Sequence, residues 1–309
     1  MLAFFQIPQC FSVSIVGPSD KDSPWFTGPL LTPSARVISK GDANLEPYLY
    51  YFISTARYDN HWKAITHPTF NRIIMQLNAK IGITEKIDLT LIPQSHRCFS
   101  QGRRGASFGD LPFGFNYQLY EGKPEDWLTY VKLSVIETFP TGKFDKLNPK
   151  LKFTDTSGQG NYLTNIGLTF SSLVKLTNHR FFSYRWNITA SVGAPAKVKG
   201  LSIYGGNALT RAKVNPGTSY FFLAGAEYTL IKEISLACDF EARYSPRKRF
   251  KGFSALPLSG PEVIQFALAP AIEYNWNSEM GIIIGTWFSL AAKNSDRFIS
   301  TVAAFNYSY

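Results

Sequence analysis

The feature that most constrains this chain is a period of two. Between Phe70 and Thr84 the residues Ile73, Met75, Leu77, Ala79, Ile81 and Ile83 are apolar. Those between them (Ile74, Gln76, Asn78, Lys80, Gly82) are mostly polar or small. Successive side chains of a β-strand point to opposite faces, so this alternation marks a strand with one apolar and one polar side. Three more stretches repeat it. Leu236, Cys238, Phe240, Ala242 and Tyr244 alternate with Ser235, Ala237, Asp239, Glu241 and Arg243. Phe182, Tyr184, Trp186 and Ile188 alternate with Ser183, Arg185, Asn187 and Thr189, and Ile264 to Trp276 behaves alike apart from Pro270, which cannot donate to a sheet ladder.

Comparable segments number twelve, at 46–58, 70–83, 87–92, 111–120, 128–139, 162–172, 181–192, 220–230, 234–244, 262–276, 280–291 and 297–309. The 280–291 segment is the least regular, because Ile282, Ile283, Ile284, Trp287 and Phe288 make both its faces apolar. The connections alternate in length: 59–69, 93–110, 140–161, 193–219 and 245–261 are long, whereas 84–86, 121–127, 173–180, 231–233 and 277–279 are short. The last, 292–296, has only five residues. A soluble sandwich has no reason to sort its bends this way. A transmembrane barrel does, with short periplasmic turns and longer external loops. The expected fold is therefore all-β: a single closed antiparallel transmembrane β-barrel of about twelve strands, with short periplasmic turns and long basic outer loops. It would sit in the outer membrane of a Gram-negative bacterium.

Energetics assigns the faces. A Lys or Arg at the lipid midplane of such a barrel costs roughly 2–4 kcal/mol. Slipping 234–244 by one residue would turn Asp239, Glu241 and Arg243 to lipid together. Lys80, Lys132, Arg185, Glu227, Asp239, Glu241, Arg243 and Glu273 are accordingly expected to line the lumen, as a candidate solute pathway or as paired charges that brace the wall. Closure also removes sheet edges, whose unpaired amides lipid does not tolerate.

Composition excludes other solvents and folds. Charged residues are 17% of the 309, below the roughly 25% of soluble domains. No uncharged run reaches the ~18 apolar residues of a spanning helix. Cys10, Cys98 and Cys238 are too few for a disulfide scaffold, and none is spaced for zinc. Cys238 is expected to face lipid, and no disulfide is expected.

The net charge of +10 is concentrated in the outer loops. Loops 93–110 and 140–161 carry +2 each, and loops 193–219 and 245–261 carry +4 each with no acid. Such a rim would bind the phosphates of lipopolysaccharide or steer anionic solutes; the mixed signs of the expected lumen favour the first. Nucleic acid is not an expected partner, since the cations lack an aromatic stacking platform.

At the ends of the chain, Ile299, Thr301, Ala303, Phe305, Tyr307 and Tyr309 share one parity and the last residue is aromatic. This resembles the C-terminal signature that the barrel assembly machinery reads in outer-membrane proteins. Residues 1–17 read as a remnant of an export signal. Residues 18–45, rich in Pro and Ser, form an extension that is either a periplasmic tail or a lumen plug, and 46–309 is the barrel.

Gly109-Asp110-Leu111 with Gly114 and Tyr117, followed by Pro140-Thr141-Gly142, resembles the outer-membrane proteins grouped as "MetA-pathway of phenol degradation" proteins. Trp25-Phe26-Thr27-Gly28-Pro29 and Glu46-Pro47-Tyr48 are similar too. The likeness runs from about Trp25 to Tyr309 and rests on short motifs. It implies a barrel that moves small, often aromatic or hydrophobic, compounds, and it supplies no catalytic residues.

Catalysis is not expected. His61, His67 and His96 fall in the predicted outer loops and His179 in a periplasmic turn, which leaves no strand-borne Ser-His dyad. No phosphate-binding loop is present, and neither a cofactor nor a metal is expected. The function expected is passive or facilitated passage of small solutes that are aromatic, hydrophobic or anionic. The alternative is a non-conducting adhesin or structural barrel that works through its basic loops.

Overall fold

The computed structural model describes residues 25–123, 126–176 and 180–309; the predicted export remnant, Cys10 and His179 lie outside them. The first strands are β1 (Ala43–Tyr58), β2 (Ala64–Thr84), β3 (Ile87–Leu91), β4 (Gln94–Ser100), β5 (Arg103–Phe108), β6 (Leu111–Glu121) and β7 (Tyr130–Phe139). There follow β8 (Leu163–Lys175), β9 (Phe181–Gly193), β10 (Ala196–Lys199), β11 (Arg211–Asn215) and β12 (Thr218–Ile231). The last are β13 (Ile234–Ser245), β14 (Arg249–Phe253), β15 (Val263–Asn275), β16 (Met280–Lys293) and β17 (Asp296–Ser308).

Fourteen of these form one sheet, which β1 closes by pairing with both β2 and β17. β3 and β4 both lie along β2 and are two parts of one stave; β5 and β6 make the next. The result is a closed, twelve-staved antiparallel barrel, with every predicted segment on a stave. Both of its ends meet on the short-turn side, where Ala43 and Tyr309 exchange backbone hydrogen bonds of 2.7 and 3.0 Å. Pro270 does interrupt a ladder: β15 and β16 pair at Leu268–Phe288 and again at Ala271–Gly285, with no partners between.

The faces follow the alternation. Lys132 and Glu273 are 0% exposed, whereas Leu236 is 46% and Ile272 51% exposed. Exposed apolar side chains girdle the outside on every side, which only a hydrocarbon surround makes favourable. Trp127, Phe139, Tyr220, Tyr244, Trp276 and Tyr307 are exposed near stave ends.

The long connections differ in kind from what was expected. Of 59–69 only the first five residues lie outside a strand, because β2 continues from Ala64. Stretch 93–110 is largely a hairpin of β4 and β5 rather than a loop. Ala64–Thr69 is wet on both faces, so its strand carries no alternation to read. Loops 193–219 and 245–261 supply a second, three-stranded sheet, β10-β11-β14. Its inner face packs Ala196, Val198 and Val214 on Leu147, Ile203 and Tyr204, an apolar cluster above the barrel that includes residues of 140–161.

Candidate functional site

All eight lumen residues expected from the sequence are inward and buried: Lys80, Lys132, Arg185, Glu227, Asp239, Glu241, Arg243 and Glu273. Their arrangement has two parts. Arg185 on β9 and Glu227 on β12 form an ion pair at 3.1 Å with both side chains fully buried, and Lys80 stands in the fields of Glu46 and Asp88. Arg243 lies over the Phe221 ring at 5.4 Å. Asp239 and Glu273, by contrast, hold a segment of backbone.

That segment is residues 25–42, which arch through the lumen. Trp25 starts near the short-turn end, with its ring under the Lys232 ammonium at 4.7 Å. Thr27 N–H donates to Glu273 Oε2 at 3.1 Å, and Asn275 Nδ2 donates to the Trp25 carbonyl at 3.0 Å. At the crest, Leu31 N–H and Thr32 N–H donate to the two oxygens of Asp239 at 3.1 and 2.9 Å. The chain then descends along the opposite wall. Val37 N–H donates to Gln118 Oε1 at 2.9 Å, Gln118 Nε2 donates to the Ala35 carbonyl at 2.9 Å, and Ile38 N–H donates to Asp88 Oδ2 at 3.0 Å. Buried backbone amides need partners, and a segment without secondary structure must find them on side chains. The lumen supplies them.

Small residues make the room. A Cβ on Gly225 would lie 2.8 Å from Pro29 Cγ and 2.9 Å from Thr32 Oγ1, and one on Gly285 would lie 2.5 Å from Leu30 Cδ1. Leu30 and Leu31 themselves enter an apolar patch of the inner wall with Ile283, Val302, Ala267 and Ala269.

The patch continues upward as an aromatic ladder. Tyr48 and Tyr50 stack at 5.6 Å between centroids, and Tyr50 and Phe52 at 5.9 Å. Phe52 meets Trp287 at 5.4 Å and Phe298 at 5.7 Å, and those two rings meet edge-on at 5.0 Å. All five are buried inside the wall. A charged lumen was expected; the observed one is charged on one arc and aromatic on the other. The available signal was the double-sided apolarity of 280–291 and of Tyr48 to Ile53, where aromatics occupy both parities.

The histidines need correction as well. His67 is on β2 and His96 on β4, where its ring is buried, so neither is in a loop. His67 Nε2 lies 3.2 Å from Ser54 Oγ on β1, beside a register shift between Ser54 and Ala56. A strand-borne Ser-His pair is therefore present. His67 Nδ1 is 2.7 Å from the Pro68 carbonyl, which can only accept, so that nitrogen carries a hydrogen, and the Ser54 hydroxyl also lies 3.3 Å from the Ala56 carbonyl, to which it can donate. Among the described residues no carboxylate hydrogen-bonds the ring, so the pair lacks the third, orienting group of a hydrolytic triad.

Above the wall, Asp110 clasps the loop that follows β7. Its two oxygens accept from Gly142 N–H at 2.9 Å and Gln159 N–H at 2.8 Å, and the Gln159 carbonyl accepts from the Tyr204 hydroxyl at 2.9 Å. Burial pushes the Asp110 carboxyl up to about 6 despite the two donors. Gly109-Asp110 and Pro140-Thr141-Gly142, read in the sequence as motifs, are thus two sides of one contact: Thr141 Oγ1 also donates to the Gly109 carbonyl at 2.7 Å.

A twelve-staved closed sheet, apolar outside and burying its charges within, is the fold of an outer-membrane β-barrel. Among solved structures it is similar to the COG4313 outer membrane channel from Pseudomonas putida F1, with a TM-score of 0.68 and 12% identity over 89% of this chain and 98% of that one. It is also similar to the transport unit of the autotransporter AIDA-I from Escherichia coli, at a TM-score of 0.47 and 13% identity over 87% and 91% of the two chains. At such identities the likeness concerns the fold. No protein-family model and no curated protein matches the chain.

Proposed function

We propose that this protein is an outer-membrane channel for small apolar or aromatic solutes, related to the phenol-degradation family whose short motifs it resembles. The observation that carries the proposal is the ladder Tyr48–Tyr50–Phe52 with Trp287 and Phe298 inside the wall. Water-filled pores keep polar lumens, whereas binding sites for apolar molecules are lined by aromatic and hydrophobic side chains with a few polar groups. A solute entering from the long-loop end would part these buried rings on its way toward Leu30 and Leu31.

There the arch acts as the plug. It fills the short-turn half of the lumen and is held chiefly by hydrogen bonds to wall side chains rather than by a ladder, so it can move aside without disturbing the barrel. Arg185, Glu227, Lys80 and Lys132 brace the polar arc, while Asp239 and Glu273 set how firmly the arch is seated. That the similar Pseudomonas putida structure is described as an outer membrane channel agrees with this reading.

The test is permeation into proteoliposomes of a small aromatic hydrocarbon and of a sugar of like size. Faster entry of the aromatic, slowed several-fold by Phe52→Gln or Trp287→Gln, supports the proposal. Equal entry of both, or a barrel impermeable to either even after the arch is loosened by Asp239→Ala, removes it. The latter result would favour a structural or adhesive wall.

A further inference from the structure

The outer sheet β10-β11-β14 is amphipathic in an unusual way. Its inner face is the apolar one already described, which fixes the sheet's orientation on the barrel. Its other face carries Lys197, Lys199, Arg211, Lys213, Arg249 and Lys251, every one exposed. The register sets three of them in a row across the strands: Lys197 opposite Lys213, and Lys213 opposite Lys251. Lys199 stands opposite Arg211, and Arg249 opposite Asn215. The strands carry no acid on this face. The carboxylate of Asp145 sits at its edge and accepts from Lys199 backbone N–H at 3.0 Å.

Side chains directly opposite in an antiparallel pair have Cβ atoms about 5 Å apart, and like charges so placed destabilise the pair. Neighbouring strands are about 4.8 Å apart and alternate residues about 7 Å apart along a strand, so the cations form a lattice on that spacing. Two other cations of the outer region do have carboxylate partners, in Lys143–Asp155 at 2.7 Å and Lys293–Glu262 at 3.0 Å. A face built of opposed cations on a rigid, backed sheet suits a ligand that brings several anionic groups at once.

We propose that this face is a binding site for the phosphorylated core saccharide of lipopolysaccharide. The inference rests on the reading of the barrel as an outer-membrane protein. In that setting the long-loop end stands among phosphate-bearing saccharides, so the charge complement lies beside the sheet. Phosphates spaced along one saccharide can bridge Lys197, Lys213 and Lys251, with Arg249 offering a forked donor beside them; Arg211 adds its charge, its Nη1 being engaged by the Ala208 and Thr210 carbonyls. Phosphate binding would relieve the like-charge strain within the sheet and anchor the outer loops to the leaflet.

The test uses the full chain in detergent micelles. Binding of a rough lipopolysaccharide with an intact phosphorylated core is compared with the same molecule stripped of its phosphates. The variant is Lys197→Gln/Lys213→Gln/Lys251→Gln, and a control, Lys40→Gln/Lys86→Gln/Lys123→Gln, makes the same charge change outside the sheet. Folding of each is checked by heat-dependent gel migration, and permeation of a small aromatic and of a small organic anion is measured in parallel. The expected result is a loss on the order of 100-fold for the sheet variant, that being the effect of three cations near an anionic membrane surface. The control should stay within about twofold, and the phosphate-free ligand should bind neither the native protein nor the variants well. Unchanged binding by the sheet variant, equal loss in the control, or equal binding of the phosphate-free ligand overturns the proposal. Slower anion permeation with unchanged lipopolysaccharide binding overturns it too, in favour of solute steering. Loss of aromatic permeation in the native protein would strike the channel reading alone.

Discussion

Thr32 donates both its backbone N–H and its hydroxyl to one oxygen of Asp239, at 2.9 and 2.6 Å, while Leu31 N–H donates to the other. A single side chain on β13 thus fastens the crest of the arch. Hydrogen bonds to charged acceptors contribute about 1.5–3 kcal/mol each. Asp239→Ala should therefore raise amide exchange at Leu31 and Thr32 by tenfold or more and add larger conductance steps in planar bilayers. Native exchange and conductance in the variant would mean that other contacts hold the arch.

Filling the space beneath the arch should displace it by a different route. Gly225→Val brings side-chain carbon against Pro29 and Thr32, and Gly285→Val brings it against Leu30. Both barrels should keep their heat-dependent migration, yet residues 25–42 should become open to added protease. Protection equal to native would contradict the close approach.

The rings inside the wall also stabilise it. Trp287 is fully buried against Phe52 and Phe298, so Trp287→Ala leaves a cavity that should cost about 3–5 kcal/mol. Urea unfolding in detergent measures this; a loss under about 1 kcal/mol would indicate a loosely packed ladder.

Two cysteines report the faces. Cys238 is exposed on the outward parity of β13, and Cys98 is buried on β4. In proteoliposomes a lipid-soluble maleimide should label Cys238 and leave Cys98 unmodified, while a charged, water-soluble maleimide labels neither. Ready labelling of Cys238 by the charged reagent would place that face in water.

The Asp110 clasp should respond to pH. Its folded-state value of about 6 exceeds the ordinary 3.8, so the folded clasp binds the proton more tightly than the open one. Its contribution is then greatest below about 3.8, declines as pH rises toward about 6, and levels off above that. Exchange at Gly142 and Gln159 amides, corrected for intrinsic rate, should be faster at pH 7.5 than at pH 5. Asp110→Asn should flatten the difference; a flat native profile would refute the linkage.

Much of this was legible in the residues. The alternation through Ile73–Ile83 and Leu236–Tyr244 placed Lys80, Asp239, Glu241 and Arg243 inside, because lipid punishes the opposite register. It was silent where both faces share one solvent. Ala64–Thr69 is wet on both sides and read as loop, which hid the strand position of His67. Ile282–Phe288 is apolar on both sides and read as irregular, and Tyr48–Phe52, apolar on both sides too, gave no sign of which face points inward, which hid the ladder.

The sequence by itself determined the twelve staves and, wherever their two faces meet different solvents, which face points inward, since both follow from local spacing against a fixed solvent. Only the tertiary structure decided what fills the lumen. Tyr50, Trp287 and Phe298 come from staves that meet only when the sheet closes, and the arch binds Asp239, Glu273 and Gln118 through backbone amides, which every residue but proline carries and no pattern of side chains announces.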